Sequence, residues 1–216
     1  MKKIANLLVT ITGPQQYVSV FEVGSLTKKV IILIYGRGGS AADIAELLTY
    51  LDSEVHTLIP EAVDGSWYPE RFLVPQIQNQ PALDSSLQLI LSLIMHLEQS
   101  GILKEKIILV GFSQGACLVA EYLKQNPSLF GGAVLMSGGL IGSQEEIGVK
   151  TNTDSLQNTP IYIGCDTEDT HIPKQRVEET AEILTDAGAK VTLELFTKYG
   201  HRPHKTALFF LQQLVS

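Results

Sequence analysis

The sequence predicts an α/β protein with a mostly parallel central sheet and helices on both of its faces. Three observations carry this. Short β-rich runs alternate with amphipathic helical stretches along the chain. Several of the runs, KKVIILIY and KIILVG among them, are apolar almost throughout, as strands buried on both faces of a parallel sheet are. The chain has 216 residues, 44% hydrophobic and 18% charged, enough for one sizeable core without disulfides or metals and too few for two comfortable enzyme domains. We therefore expect residues 1–216 to form a single domain.

The elements follow in order. Residues 1–27 read as a β-hairpin leading into the sheet, turning at Gly13-Pro14 and resuming with the alternation of Tyr17 to Phe21. Lys2 and Lys3 ahead of an apolar run imitate a signal peptide, but Asn6, Thr10 and Thr12 interrupt the run and no small-x-small cleavage site follows. Residues 28–35 are a buried strand, broken by Gly36-Arg37-Gly38-Gly39. Ser40 to Asp43 then make a capping-box-like start for a helix to about Leu51. Residues 54–59 are a second strand. Residues 60–81 are rich in proline and hold the single Trp, which predicts a long, ordered loop of the kind usually tied to function.

Leu83, Leu87, Ile90, Leu91, Ile94 and Leu97 recur at helical spacing, so residues 83–99 are a helix, stopped by Gly101. Strand 106–111 leads into helix 114–126, ended by Pro127. Strands follow at 132–136, 160–164 and 190–196, and helices at 174–187, stopped by Gly188, and at 203–215. Residues 141–159 are polar and loop-like.

Composition excludes several function classes. The net charge of −7 with no basic run argues against nucleic acid and anionic membranes as partners. No apolar run approaches the ~20 residues of a membrane span. Cys117 and Cys165 cannot form a disulfide framework and lack C-x-x-C spacing, which fits a reducing cytoplasm. The five histidines show no H-E-x-x-H pattern, and the glycines at 36–39 do not form a phosphate-binding loop, so we expect neither metal nor cofactor.

Chemistry is expected at the carboxyl ends of the strands. There Gly111-Phe112-Ser113-Gln114-Gly115 matches G-x-S-x-G between a predicted strand and a predicted helix. Glycines flanking so tight a turn let Ser113 stand at its apex, with the helix N-terminus supplying a backbone N–H beside a reacting carbonyl. A serine nucleophile needs a base, and the base an orienting carboxylate. Asp166 and Asp169 follow strand 160–164, and His201 follows strand 190–196, with His204 a competitor placed inside the last helix. Spacing alone does not decide between the two aspartates.

With these residues the chain resembles the phospholipase/carboxylesterase family of small α/β-hydrolases, which includes acyl-protein thioesterases. The likeness is carried by Gly36-Arg37-Gly38-Gly39 with Ala42-Asp43-Ile44, by Trp67-Tyr68-Pro69, and by the Ser113 elbow. It continues in Gly164-Cys165 with Asp169 and His171-Ile172-Pro173, and in Gly200-His201. The resemblance implies an α/β-hydrolase fold without a large cap domain. It implies Asp169 as the acid, which leaves Asp166 to the loop, and an oxyanion hole from the backbone N–H groups of Arg37 and Gln114. It also favours Trp67, Tyr68 and Phe72 as substrate-binding residues; the alternative is that these rings pin the loop to the core. Arg37 is either a solvated loop arginine or an attractor of a substrate carboxylate or phosphate. Tyr35 stands where the family usually has a histidine before the glycine. Members of the family often form homodimers.

The expected function is a serine hydrolase of carboxylic esters or thioesters of small or extended acyl substrates, without a cofactor, working through an acyl-enzyme on Ser113. A histidine base implies activity that rises through roughly pH 6–7. Two other readings of the same fold are a binding protein that has lost turnover and an acyltransferase or peptidase.

Overall fold

The computed structural model describes residues 3–9, 16–21, 29–51, 55–148 and 155–216, the first two segments by their backbone. The expected turn at Gly13-Pro14 lies outside these residues. Eight strands form one sheet: β1 (Lys3–Val9), β2 (Gln16–Phe21), β3 (Val30–Ile34), β4 (His56–Pro60), β5 (Ile107–Phe112), β6 (Gly132–Met136), β7 (Pro160–Asp166) and β8 (Lys190–Phe196). Their order across the sheet is β1-β2-β4-β3-β5-β6-β7-β8. β1 and β2 pair antiparallel, and β2 pairs antiparallel with β4. The six strands from β4 to β8 run parallel.

The helices are α1 (Ala41–Ala45), α2 (Ala82–Gln99), α3 (Gln114–Gln125), α4 (Gln144–Ile147), α5 (Lys174–Asp186) and α6 (Lys205–Val215). α1, α3, α5 and α6 pack on the strands of the sheet. β3 and β6 are buried along their whole length, which is why their sequences read as unbroken apolar runs. α3 packs over β5, β6 and β3 and against α2 and α5. α6 packs over β6 and β7, with Phe210 against the ring of Tyr162.

The strand order reverses between β3 and β5, where Ile34 lies beside Gly111. The loops leaving these two strands therefore diverge to opposite sides and open a crevice between them. The Arg37 loop and the Ser113 turn occupy that point.

Three elements depart from the sequence reading. The helix expected to reach Leu51 is α-helical only to Ala45 and continues as a tighter 3₁₀ stretch, Glu46–Tyr50. The last helix begins at Lys205, because His204 is its N-cap, with the ring nitrogen accepting the Thr206 N–H at 3.2 Å. The segment read as a polar loop contains buried Ile141 and the short α4, which Ser143 and Glu146 start with a reciprocal capping box. Four residues are too few to show helical periodicity, so the sequence pattern did not reveal this helix.

Candidate active site

Ser113 sits between β5 and α3 with φ 53° and ψ −120°, a backbone conformation that a non-glycine residue holds at a cost of about 1–3 kcal/mol. The flanking glycines are required by close approach. A Cβ at Gly111 would come within 2.5 Å of the Gly115 backbone, and one at Gly115 would strike the Ile34 carbonyl. The turn is pinned by the Ser113 N–H donating to the Met136 carbonyl at 2.9 Å.

His201 and Asp169 meet this serine. His201 Nε2 lies 2.8 Å from Ser113 Oγ, and His201 Nδ1 lies 2.7 Å from Asp169 Oδ2. The Asp169 side chain is fully buried and accepts, at Oδ1, the N–H groups of His171 (2.8 Å) and Ile172 (3.1 Å). The x-H-I-P stretch thus wraps the acid with backbone donors. The His201 ring is flanked by Phe112 and His171, at centroid distances of 5.0 and 4.9 Å.

The alternatives left open by spacing fall elsewhere. Asp166 ends β7 and faces the turn before His201, where its Oδ2 accepts the N–H groups of Tyr199 and Gly200. The Glu168 N–H on its other oxygen, together with the Gly200 and Tyr199 donors, holds its pKa below the usual carboxylate value. His204 stacks on Phe196 at 3.8 Å and caps α6; burial lowers its pKa. Cys117 and Cys165 are free and buried, and burial pushes their thiols up to about 11 and about 12. The nearby Asp169 carboxylate adds to the second shift.

Loop 60–81 is ordered by contacts that the sequence did not reveal. The Tyr35 ring lies 5.1 Å from that of Trp67, and its hydroxyl accepts the Ala62 N–H at 2.6 Å. Trp67 Nε1 donates to the Tyr35 carbonyl at 2.8 Å, and Ser86 Oγ donates to the Trp67 carbonyl at 2.7 Å. The Gln114 side chain accepts from Trp67 N–H at 3.0 Å and donates to the Tyr68 carbonyl at 2.8 Å. Arg37 is exposed at the edge of the cleft and also ties the loop down. Its guanidinium donates to the carbonyls of Pro69 (2.6 Å), Tyr68 (2.9 Å) and Glu70 (2.7 Å).

A cleft of about 400 Å³ opens beside Ser113 and His201, with Tyr68, Phe72, Arg71, His171 and Ile172 in its walls. Trp67 is not among its lining residues, a correction to the expected substrate contact: at 1% exposure it pins the loop from behind. Tyr68 and Phe72 do line the cleft. Burial raises the Tyr68 phenol well above its ordinary value, so it presents a neutral hydroxyl. Arg71, His171 and Ile172 were not expected to form walls, and only the position of the last two beside the acid hinted at it. Gly36 brings the Arg37 loop against the elbow, since a Cβ there would lie 3.0 Å from Ser113 Cβ. Gln114 opens α3, where the first N–H groups have no partner within the helix. Among the described residues no group of three or more His, Cys, Asp or Glu side chains is placed to hold a metal ion, and no helix is long and apolar enough to cross a membrane.

Fold and serine turn together define an α/β hydrolase. The chain belongs to the phospholipase/carboxylesterase family, whose sequence profile matches residues 15–216. It is 28% identical over 220 residues to acyl-protein thioesterase 1 of Kluyveromyces lactis, covering 94% of this chain and 96% of that protein. The crystal structure of a phospholipase/carboxylesterase from Dyadobacter fermentans superposes with a TM-score of 0.87 at 35% identity, covering 96% of this chain and 99% of that one. The Bacillus cereus carboxylesterase shares the fold at a TM-score of 0.71 and 20% identity, over 92% of each chain. The protein is a hydrolase acting on ester or thioester bonds of small-molecule substrates.

Proposed function

We propose that this hydrolase works through an acyl-enzyme on Ser113. His201 Nε2 takes the Ser113 proton as Oγ attacks the acyl carbonyl, and later returns it to the leaving alcohol or thiol. Asp169 keeps the Nδ1 tautomer in place and stabilises the imidazolium. The N–H groups of Arg37 and Gln114 receive the oxyanion. Water then attacks the acyl-enzyme by the same route. The observation that carries this reading is the unbroken chain from Ser113 Oγ through His201 to the buried Asp169, at 2.8 and 2.7 Å.

Tyr68 and Phe72, in the cleft wall, supply apolar surface for the acyl chain, and the absence of a cap among the described elements favours small or extended acyl groups. Tyr35 in place of the family histidine leaves the oxyanion N–H donors in the backbone, which favours turnover over a binding role. We read residues 1–216 as one domain, active in a reducing, cytoplasmic setting to which two buried free thiols are suited, and place a homodimer among its assembly states. Pre-steady-state hydrolysis of an activated ester tests the mechanism. A burst of alcohol release equal to the enzyme concentration, with the acyl mass on Ser113, is expected; a linear trace with no covalent mass would contradict it.

A further inference from the structure

We propose that Asp166 is a positioning residue that couples the acid loop to the histidine loop and thereby sets the reach of His201 to Ser113. The inference rests on the triad reading above. Asp166 is the last residue of β7, paired in register with Phe196 at the end of β8, so its carboxylate lies at the mouth of both loops. It is buried, and its two oxygens face different ways. Oδ1 accepts Glu168 N–H at 2.7 Å, and the Asp166 carbonyl accepts Asp169 N–H at 3.2 Å, shaping the turn that presents the acid. Oδ2 accepts Gly200 N–H at 2.6 Å and Tyr199 N–H, in the turn that presents His201.

That second turn is built to need an anion. Lys198 and Gly200 both have left-handed backbone, with φ 60° and 83°. Alternating conformations of this kind point successive N–H groups inward, into a concavity that a carboxylate fills. The ring of Tyr199 lies 6.0 Å from Phe196 and 4.3 Å from His204, so the side chain of the turn is packed, while the Tyr199 and Gly200 N–H groups donate to Asp166. Asp169 orients the imidazole by contact; Asp166 fixes the backbone from which that imidazole hangs.

Asp166→Asn keeps the shape but turns an NH₂ toward either Glu168 N–H or the Tyr199 and Gly200 N–H groups. A histidine displaced by about 1 Å costs on the order of 100-fold in rate. The expected result is a fall in kcat of that order with KM nearly unchanged, a thermal midpoint still cooperative, and loss of the downfield proton resonance of His201 Nδ1–H. A Ser113-dependent wild type alongside an Asp166→Asn variant of equal kcat overturns the positioning role alone. Wild-type activity that survives Ser113→Ala overturns the triad reading and this inference with it. Should Asp166→Asn fail to fold, amide exchange in the wild type still decides: slow exchange at Tyr199 and Gly200 supports the role, and exchange at the free-peptide rate overturns it.

Discussion

Three side chains at this site do work that their neighbours cannot take over. Asp169 accepts two backbone N–H groups and the His201 Nδ1 side in a fully buried position, so Asp169→Asn should leave the fold intact while favouring the wrong imidazole tautomer. The expected fall in kcat is on the order of 10⁴-fold, read from steady-state kinetics. Tyr35 replaces the family histidine by a ring against Trp67 and a hydroxyl that accepts Ala62 N–H. Tyr35→Phe should therefore cost about 1 kcal/mol in denaturant unfolding while labelling of Ser113 persists. Asp166 has a folded-state pKa below its unfolded value of about 3.9, owing to its backbone donors. Its stabilisation is then complete above the unfolded pKa and is lost as pH falls through the folded one. Urea midpoints between about pH 2 and 5 should fall more steeply with acid in the wild type than in Asp166→Asn.

At the scale of elements, the site depends on how two loops are held. Gly115 lets α3 approach the end of β3, and Gly115→Ala should destabilise the protein by about 1–3 kcal/mol, since a methyl there meets the rigid Ile34 carbonyl. The 66–70 loop is fastened by Arg37 and Gln114, which between them make four hydrogen bonds to three of its carbonyls, those of Tyr68, Pro69 and Glu70. Arg37→Ala should speed amide exchange of the loop and raise KM more than it lowers kcat, because Tyr68 in the cleft wall is freed. The sequence displayed the elbow because its constraints are local: two glycines, a strand before and a helix after. It did not display the loop fastening. Arg37, Gln114 and Trp67 are separated by tens of residues, and a side chain that binds carbonyls leaves no periodic trace. Trp67 was expected in the cleft for this reason, since an aromatic in a long loop reads the same whether it faces a ligand or the core.

For the whole molecule, the buried apolar runs pointed to the parallel sheet, and the strand-end rule pointed to Ser113, His201 and the pair Asp166 and Asp169, of which the family resemblance implied Asp169. The pair Asp166 and Asp169 shows where spacing ends: both follow the same predicted strand, and in the structure Asp169 lies beside the imidazole while Asp166 lies under the turn that carries it. The α4 capping box and the His204 cap were not read from the sequence, because a single short turn or a lone cap leaves no periodic pattern. The central claim is that this scaffold activates one serine. Intact-mass analysis after exposure to a fluorophosphonate tests it without knowledge of the substrate. The account predicts a single adduct on the wild type and none on Ser113→Ala. A folded wild type that takes no adduct, or a Ser113→Ala variant that still takes one, would contradict it.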